Sequence, residues 1–274
     1  MSDIDLVKLA NDLKTLATAL PNQLDFYLEI AKGNISNHST INGYGERIDT
    51  GNTATGEDVW RGTAISIPIP PAIGEQMSIV SSVNTDGAAG KTGVNTVQIH
   101  YLDAAGDEQE FDLTMNGNTP VNFSVSDVRF IQEFHALTVG ATGVADGNIT
   151  IYQTGDNTRI YNMIAAGGNM SLVINKMIPN GKTCYITAWH VTASGKTAQD
   201  QQLSLRLRST DHDGTLVSGV FIFKDVVYLK DAAISVQFNS YIKVPQLSIV
   251  KVSAWADVAG AEISAYWEGI LVDD

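Results

Sequence analysis

The sequence has little positive charge, one cysteine and no long apolar run, and each shortage excludes a class of protein. Its 17 Lys and Arg stand against 30 Asp and Glu, a net charge of −13, which argues against sequence-independent binding to nucleic acid phosphates. Cys184 is the single cysteine, so the chain can form neither an intrachain disulfide nor a cysteine-rich zinc module. No segment approaches the ~20 apolar residues that span a bilayer. No secretory leader is apparent, and we expect a soluble protein made in a reducing cytoplasm.

Charge is distributed unevenly along the 274 residues. Residues 1–165 hold 20 acidic and 8 basic side chains, whereas residues 166–274 hold 10 and 9. This difference predicts two units with different surroundings, of which the near-neutral one makes more subunit contact. The alternative is that one domain merely has a more acidic solvated face.

A leucine pattern near the start predicts a helix that associates with a partner. The leucines alternate spacings of three and four, as in the seam of a coiled coil. They are Leu6, Leu9, Leu13, Leu16 and Leu20. We predict that residues 1–33 form a helical oligomerisation or attachment segment, with docking on its own domain as the alternative.

Residues 34–62 lack apolar periodicity and are rich in Gly, Asn, Thr and Ser. So long an irregular stretch is unusual inside a compact domain, which predicts an extended arm that becomes ordered on a partner. A large aromatic is seldom left wholly in water, and the larger apolar side chains are therefore the predicted anchors. They are Tyr44, Ile48, Val59 and Trp60.

From residue 63 onward, apolar residues alternate with polar ones, and turn signals recur about every 8–12 residues, which is typical of β-sandwiches and barrels. Ala165-Ala166-Gly167-Gly168 is the predicted boundary between two such units. The predicted fold is mainly β, with the short helical segment, the Gly-rich arm and two antiparallel β-sandwiches. The first sandwich spans residues 63–165 and the second, 166–274, is a jelly roll.

Three phrases carry a resemblance to a known class of protein. They are Gly43-Tyr44-Gly45 to Gly62 with Glu57-Asp58-Val59-Trp60, Thr96-Val97-Gln98-Ile99 before Tyr101-Leu102-Asp103, and Ile178-Pro179-Asn180-Gly181-Lys182-Thr183. Together they resemble structural proteins of tailed bacteriophage particles. The resemblance implies an all-β component of the virion, assembled in the bacterial host cytoplasm. It also implies a homotrimer that contacts other virion proteins such as the major capsid protein, and it transfers no catalytic residue.

Motifs for chemistry are weak in this sequence. Three Gly-Lys-Thr triplets lack the earlier glycine of a phosphate-binding loop, and the five histidines show no pair at helical metal spacing. Asp211-His212-Asp213-Gly214 lacks the later carboxylates of a calcium loop and predicts a polar hairpin. Asp107, Glu108 and Glu110 are read as the polar face of a hairpin, with glycoside hydrolysis as the alternative. We therefore predict no enzyme activity, cofactor, metal site, nucleic acid partner or membrane partner.

The resulting hypothesis is a capsid decoration or head-fibre protein attached through its N-terminal helix and arm. An alternative is a tail or fibre component that binds a host-surface glycan, and a third is a polysaccharide hydrolase. The candidates for an exposed or interface aromatic patch lie near the C-terminus. They are Tyr241, Trp255, Tyr266 and Trp267.

Overall fold

The computed structural model describes residues 26–51, 55–88, 90–195, 203–217, 219–257 and 259–274. The protein is mainly β, with 57% strand and 3% helix. Its described helix is α1 (Phe26–Ala31). The strands are β1 (His38–Arg47), β2 (Glu57–Asp58), β3 (Met77–Ser81), β4 (Val94–Leu102), β5 (Glu108–Thr114), β6 (Val121–Asn122), β7 (Phe130–Val139), β8 (Ile149–Gln153), β9 (Asp156–Ile164), β10 (Lys176–Met177), β11 (Lys182–Gly195), β12 (Leu203–Ser209), β13 (Asp211–His212), β14 (Thr215–Leu216), β15 (Ile222–Leu229), β16 (Ala232–Val244), β17 (Ile249–Ala256) and β18 (Ala261–Asp273).

Strands β3 to β9 form two sheets, here called the inserted pair. One sheet has the order β6-β3-β8-β9 and the other β5-β4-β7. Both sheets contribute to one hydrophobic cluster, which includes Ile79, Ile99, Phe134 and Ile151. Alternation along each strand produces this core: β4, Val-Asn-Thr-Val-Gln-Ile-His-Tyr-Leu, buries Val97, Ile99 and Tyr101 while the residues between them are only partly buried.

The remaining large sheets, here called the split pair, combine strands from both ends of the chain. One has the order β1-β18-β11-β16, and the other has β10-β17-β12-β15 with β2 added beside β17. Their shared cluster includes Val59, Trp189, Leu205 and Trp267. The inserted pair therefore lies, in sequence, between strands that belong to the split pair.

This arrangement corrects the predicted extended arm. Residues His38–Arg47 pair along their whole length with β18, from His38 opposite Val272 to Arg47 opposite Ile263. These residues are mostly small and polar, so they show no apolar alternation that would predict a strand. Gly43 and Gly45 are required because the neighbouring atoms leave no room for a Cβ. A Cβ at Gly43 would lie 2.4 Å from both Ile174 O and Trp267 Nε1.

The four large sheets form two pairs, each around its own hydrophobic cluster. The second predicted unit, residues 166–274, does not complete its sheets alone, because β1 and β2 also belong to them. Sequence reasoning missed this because turn signals mark strand ends but carry no information on which distant strand becomes the neighbour.

Candidate functional site at the junction of the sheet pairs

A polar cleft of about 280 Å³ lies where β1 and β18 face the three-stranded sheet of the inserted pair. Thr40, Asn42 and Leu271 line it from one side, and His100, Gln109 and Glu133 line it from the other. Lys176 on β10 also reaches it. Ligand sites commonly form between structural units, because each unit contributes side chains that were held apart in sequence.

Two rows of polar side chains cross the three strands beside this cleft. His100 on β4 lies opposite Glu110 on β5 and opposite Glu133 on β7. The adjacent row places Gln98 opposite Asp112 and His135. Residues two apart on a strand share one face, so Glu133 and His135 point to the same side as His100.

Three of these side chains converge closely. The ligand atoms of His100, Glu133 and His135 all lie within 4.8 Å of one another, and each residue is half-buried. The two imidazole rings stack with centroids 5.7 Å apart and an interplanar angle of 24°. Two imidazoles and a carboxylate form a donor set that suits divalent transition metals. Among the described residues, this is the one group of three or more His, Cys, Asp or Glu side chains close enough together to hold a metal ion.

Lys176 sets the charge of the site. Its Nζ lies 2.8 Å from Glu133 Oε2 and also donates to the carbonyl oxygen of Gln132 at 2.9 Å. Burial raises the pKa of Glu133, but the charge and hydrogen bond of Lys176, with smaller contributions from His100 and His135, bring that pKa below its ordinary value. Burial lowers the pKa of Lys176 despite its pairing with Glu133. Glu133 is thus a carboxylate at neutral pH, available as an acceptor.

Sequence reasoning missed this cluster because it searched for histidines at helical spacing. The useful signal was Glu133-x-His135, since a spacing of two places both side chains on one face of a strand. His100 joins them through the β4–β7 pairing, whose register is set by packing and includes irregularities beside Thr96 and His100.

The predicted arm anchors do not form one partner-facing set. Trp60 is 1% exposed and packs against Ile67, Met163 and Val173 of its own chain, while its Nε1 donates to Ala64 O at 2.9 Å. Val59 is fully buried in the core of the split pair. The two side chains therefore anchor residues 59–60 within the chain itself. Burial removes their apolar surface from water, and the carbonyl of Ala64 accepts the hydrogen bond of the indole N–H.

The other two predicted anchors remain partly accessible. Tyr44 lies on β1 and is 40% exposed, and its hydroxyl oxygen accepts a hydrogen bond from Ser264 Oγ at 3.2 Å. Ile48 follows β1 and is 43% exposed. Their contact with a partner stays a prediction.

The four predicted C-terminal aromatics have different environments. Trp267 is fully buried and donates from Nε1 to Ile174 O at 3.0 Å, so it belongs to the core. Tyr266, its neighbour on the opposite face of β18, packs near His190 with ring centroids 5.7 Å apart. Arg206 covers Trp255, its guanidinium carbon 3.9 Å from the ring centroid. Tyr241 is 48% exposed, with its hydroxyl 2.5 Å from that of Tyr27.

The remaining predictions fall on two other segments. Leu6, Leu9, Leu13, Leu16 and Leu20 lie outside the described residues. Asp211-His212-Asp213-Gly214 forms a hairpin between β13 and β14, with positive φ at Asp213 and Gly214 as a two-residue hairpin turn requires. The buried Asp211 carboxylate accepts from Lys224 Nζ at 2.9 Å, whereas Asp213 is exposed.

No family model matches the chain, and no curated protein matches it significantly. None of the described helices has the length and apolar character needed to cross a membrane.

Proposed function

We propose that this chain is a non-enzymatic structural protein of a tailed-phage particle that assembles as a homo-oligomer, most simply a trimer. The observation that carries the proposal is an accessible apolar edge on the split pair, formed by β15 and β16. The virion assignment itself follows from the sequence resemblance.

β16 is 13 residues long and, among the described strands, lies at the end of its sheet beside β11. Its apolar side chains Ile234, Val236 and Phe238 pack on the core but stay partly exposed. β15 ends the other sheet and carries Phe223, 51% exposed, and Tyr228, 73% exposed. Long edge strands with apolar side chains are liable to pair or pack with other chains, and such patches commonly mark interfaces.

Strand order supports a further proposal, that the split pair is a jelly roll interrupted by the inserted pair. Counted along the chain, its eight principal strands are β1, β10, β11, β12, β15, β16, β17 and β18. One sheet contains the first, eighth, third and sixth of these, and the other contains the second, seventh, fourth and fifth. The chain thus crosses repeatedly from one sheet to the other. This strand order is the connectivity of a jelly roll, an architecture frequent in viral capsid proteins.

The position of α1 is consistent with self-association on this side. Tyr27 of α1 contacts Tyr241 of β16, and the predicted leucine seam immediately precedes α1 in sequence. α1 therefore lies beside β16, and an association through residues 1–33 would act on the side of the apolar edge. Attachment to the capsid through this segment and through Tyr44 and Ile48 remains part of the proposal.

Oligomeric mass tests the interface. Light scattering of the full chain, 29.4 kDa per protomer, is expected to give a multiple of that mass. Tyr228→Lys should raise the dissociation constant at least about tenfold, because a charge would replace apolar contact at the interface. Ile73→Lys is the matched control, because Ile73 is 81% exposed and lies outside β15 and β16, which form the apolar edge. A monomeric wild type, or equal effects of both substitutions, would refute the interface.

Imaging tests the virion assignment. Gold-labelled antibody against the protein should mark the capsids of particles grown in a host that produces it. Label confined to the tail would support the alternative of a glycan-binding tail or fibre protein, for which Tyr241 and Tyr266 are the accessible candidates. Particles without any label would overturn both assignments.

A further inference from the structure

We propose that His100, Glu133 and His135 bind a divalent transition metal ion, Zn²⁺ in particular, at the junction of the two sheet pairs. The inference rests on the convergence of three donor groups on one sheet face and on the neighbours that orient them. It is independent of the oligomeric and virion proposals.

The spacing of the donors is close to that of a bound set. In zinc sites the ligand atoms lie about 2.0–2.2 Å from the ion, which places them roughly 3.5 Å apart. Here the three lie within 4.8 Å of one another before any ion is added. Small rotations of half-buried side chains on adjacent strands would close the remaining gap, without a change in the register that joins His100 to Glu133.

The chemistry of the donors selects the class of ion. Two imidazole nitrogens and one carboxylate favour zinc and its neighbours, whereas calcium and magnesium prefer sites built from oxygen atoms alone. With three protein ligands, the fourth position of a tetrahedral ion would face the cleft and hold water or a ligand.

Glu110 provides an orienting neighbour of the kind that metal-binding histidines usually have. Its Oε2 lies 3.6 Å from His100 Nδ1 across the β4–β5 pairing. A hydrogen bond from Nδ1–H to this carboxylate would hold the ring in one tautomer and leave Nε2 free to bind the ion.

Lys176 neutralises the site when no ion is bound. It uses Oε2 of Glu133, which leaves Oε1 for the metal, and the Gln132 carbonyl gives its ammonium a second acceptor. Lys176 belongs to the split pair and Glu133 to the inserted pair. An ion on Glu133 would therefore share this carboxylate with the Lys176 ammonium, at the ion pair that joins the two sheet pairs.

Calorimetric titration of the untagged full chain with Zn²⁺ tests the proposal. We expect one ion per chain, and at least about tenfold weaker binding for His100→Asn and for His135→Asn. The matched control is His190→Asn, because His190 is also a half-buried strand histidine in contact with an aromatic ring, and its binding should equal that of wild type. Co²⁺ should give visible d–d bands in the wild type that are lost in the two site variants.

The Glu110→Gln variant protects the test against misfolding. Glu110 is 63% exposed, so its substitution leaves packing intact, and we expect affinity to fall about 10-fold. Absence of saturable Zn²⁺ binding in wild type would refute the site. Undiminished binding in folded His100→Asn and His135→Asn would do so too, as would a loss in His190→Asn equal to theirs. Should those site variants not fold, unchanged affinity in Glu110→Gln would reject the proposed coordination.

Discussion

The two sheet pairs differ in how the chain builds them. The inserted pair uses the continuous segment from Met77 to Ile164, and all the described members of its hydrophobic cluster belong to that segment. The split pair joins β1 and β2 to strands that follow residue 175, so its first sheet is completed by the pairing of His38 with Val272. Bringing such distant segments together costs more chain entropy than forming contacts within one segment.

Their buried carboxylates differ as well. Asp86 in the inserted pair is fully buried and accepts four hydrogen bonds from neutral donors, namely Ser81 Oγ and the backbone N–H groups of residues 94, 146 and 147. Asp58 in the split pair instead pairs with Lys251 at 2.8 Å and Arg208 at 3.4 Å. Neutral donors from within the inserted pair thus satisfy one acid, whereas cations from distant strands of the split pair satisfy the other.

The largest expected effect concerns fragments. Residues 63–165 produced alone should melt cooperatively, because their core is contained in the segment. Residues 166–274 alone should not, because the β18 edge loses its ten-residue partner β1. Circular dichroism melting measures both. Addition of a peptide of residues 34–62 should restore folding of the second fragment, and a cooperative melt without that peptide would contradict the comparison.

Asp58→Asn should destabilise the full chain by about 3–5 kcal/mol, because Lys251 and Arg208 would keep their charges in a buried site without a counterion. Urea unfolding measures this loss. Asp86→Asn is the comparison variant in the inserted pair, with an expected loss of about 1–3 kcal/mol because one acceptor becomes a donor. Equal losses would show that the two buried acids are held in energetically similar ways.

Gly43→Ala should destabilise the split pair by about 2–3 kcal/mol through overpacking. The new Cβ would fall 2.4 Å from the two atoms, Ile174 O and Trp267 Nε1, that hydrogen-bond to each other. Gly87→Ala is the control, because its nearest neighbour is the flexible Lys91 side chain at 3.2 Å. A stability loss of the same size in both variants, measured by urea unfolding, would count against a special role for β1.

The smallest expected effect is a pH dependence at the junction. Because the pKa of Glu133 is lower in the folded chain than its ordinary value of 4.5, the carboxylate stabilises the fold above that pH. This contribution is lost as the pH falls through the folded pKa. The stability difference between wild type and Glu133→Gln, about 0.5–1 kcal/mol because the Glu133 side chain is 33% exposed, should therefore vanish in acid. Melting curves from about pH 6 to about pH 3 test this prediction. A stability difference that grows in acid would contradict a lowered pKa of Glu133 in the folded chain.

Local features of the sequence predicted local features of the structure well. The alternation expected from residue 63 onward is seen along β4, where Val97, Ile99 and Tyr101 are buried and the residues between them are partly buried. Turn signals fall between strands, as expected: Gly155, with φ of 89°, lies between β8 and β9. These features depend on alternation and on backbone freedom over a few residues, which the sequence displays directly.

β1 and the histidine cluster escaped prediction for a shared reason. β1, with its sequence His-Ser-Thr-Ile-Asn-Gly-Tyr-Gly-Glu-Arg, lacks a clear apolar alternation, and it is held as a strand by β18 rather than by its own propensity. His100 and His135 are likewise separated in sequence and meet through strand pairing. In each case the decisive interaction is with a distant residue.

The sequence by itself determined that the chain is mainly β, through alternation of apolar and polar residues and recurring turn signals. The tertiary structure decided that β1 and β2 close the sheets of the C-terminal strands, that Trp60 is buried within the chain, and that His100, Glu133 and His135 share a site. The reason is physical: alternation and turns are set by neighbours in sequence, whereas partner and register are set by which hydrophobic faces pack together across the whole chain.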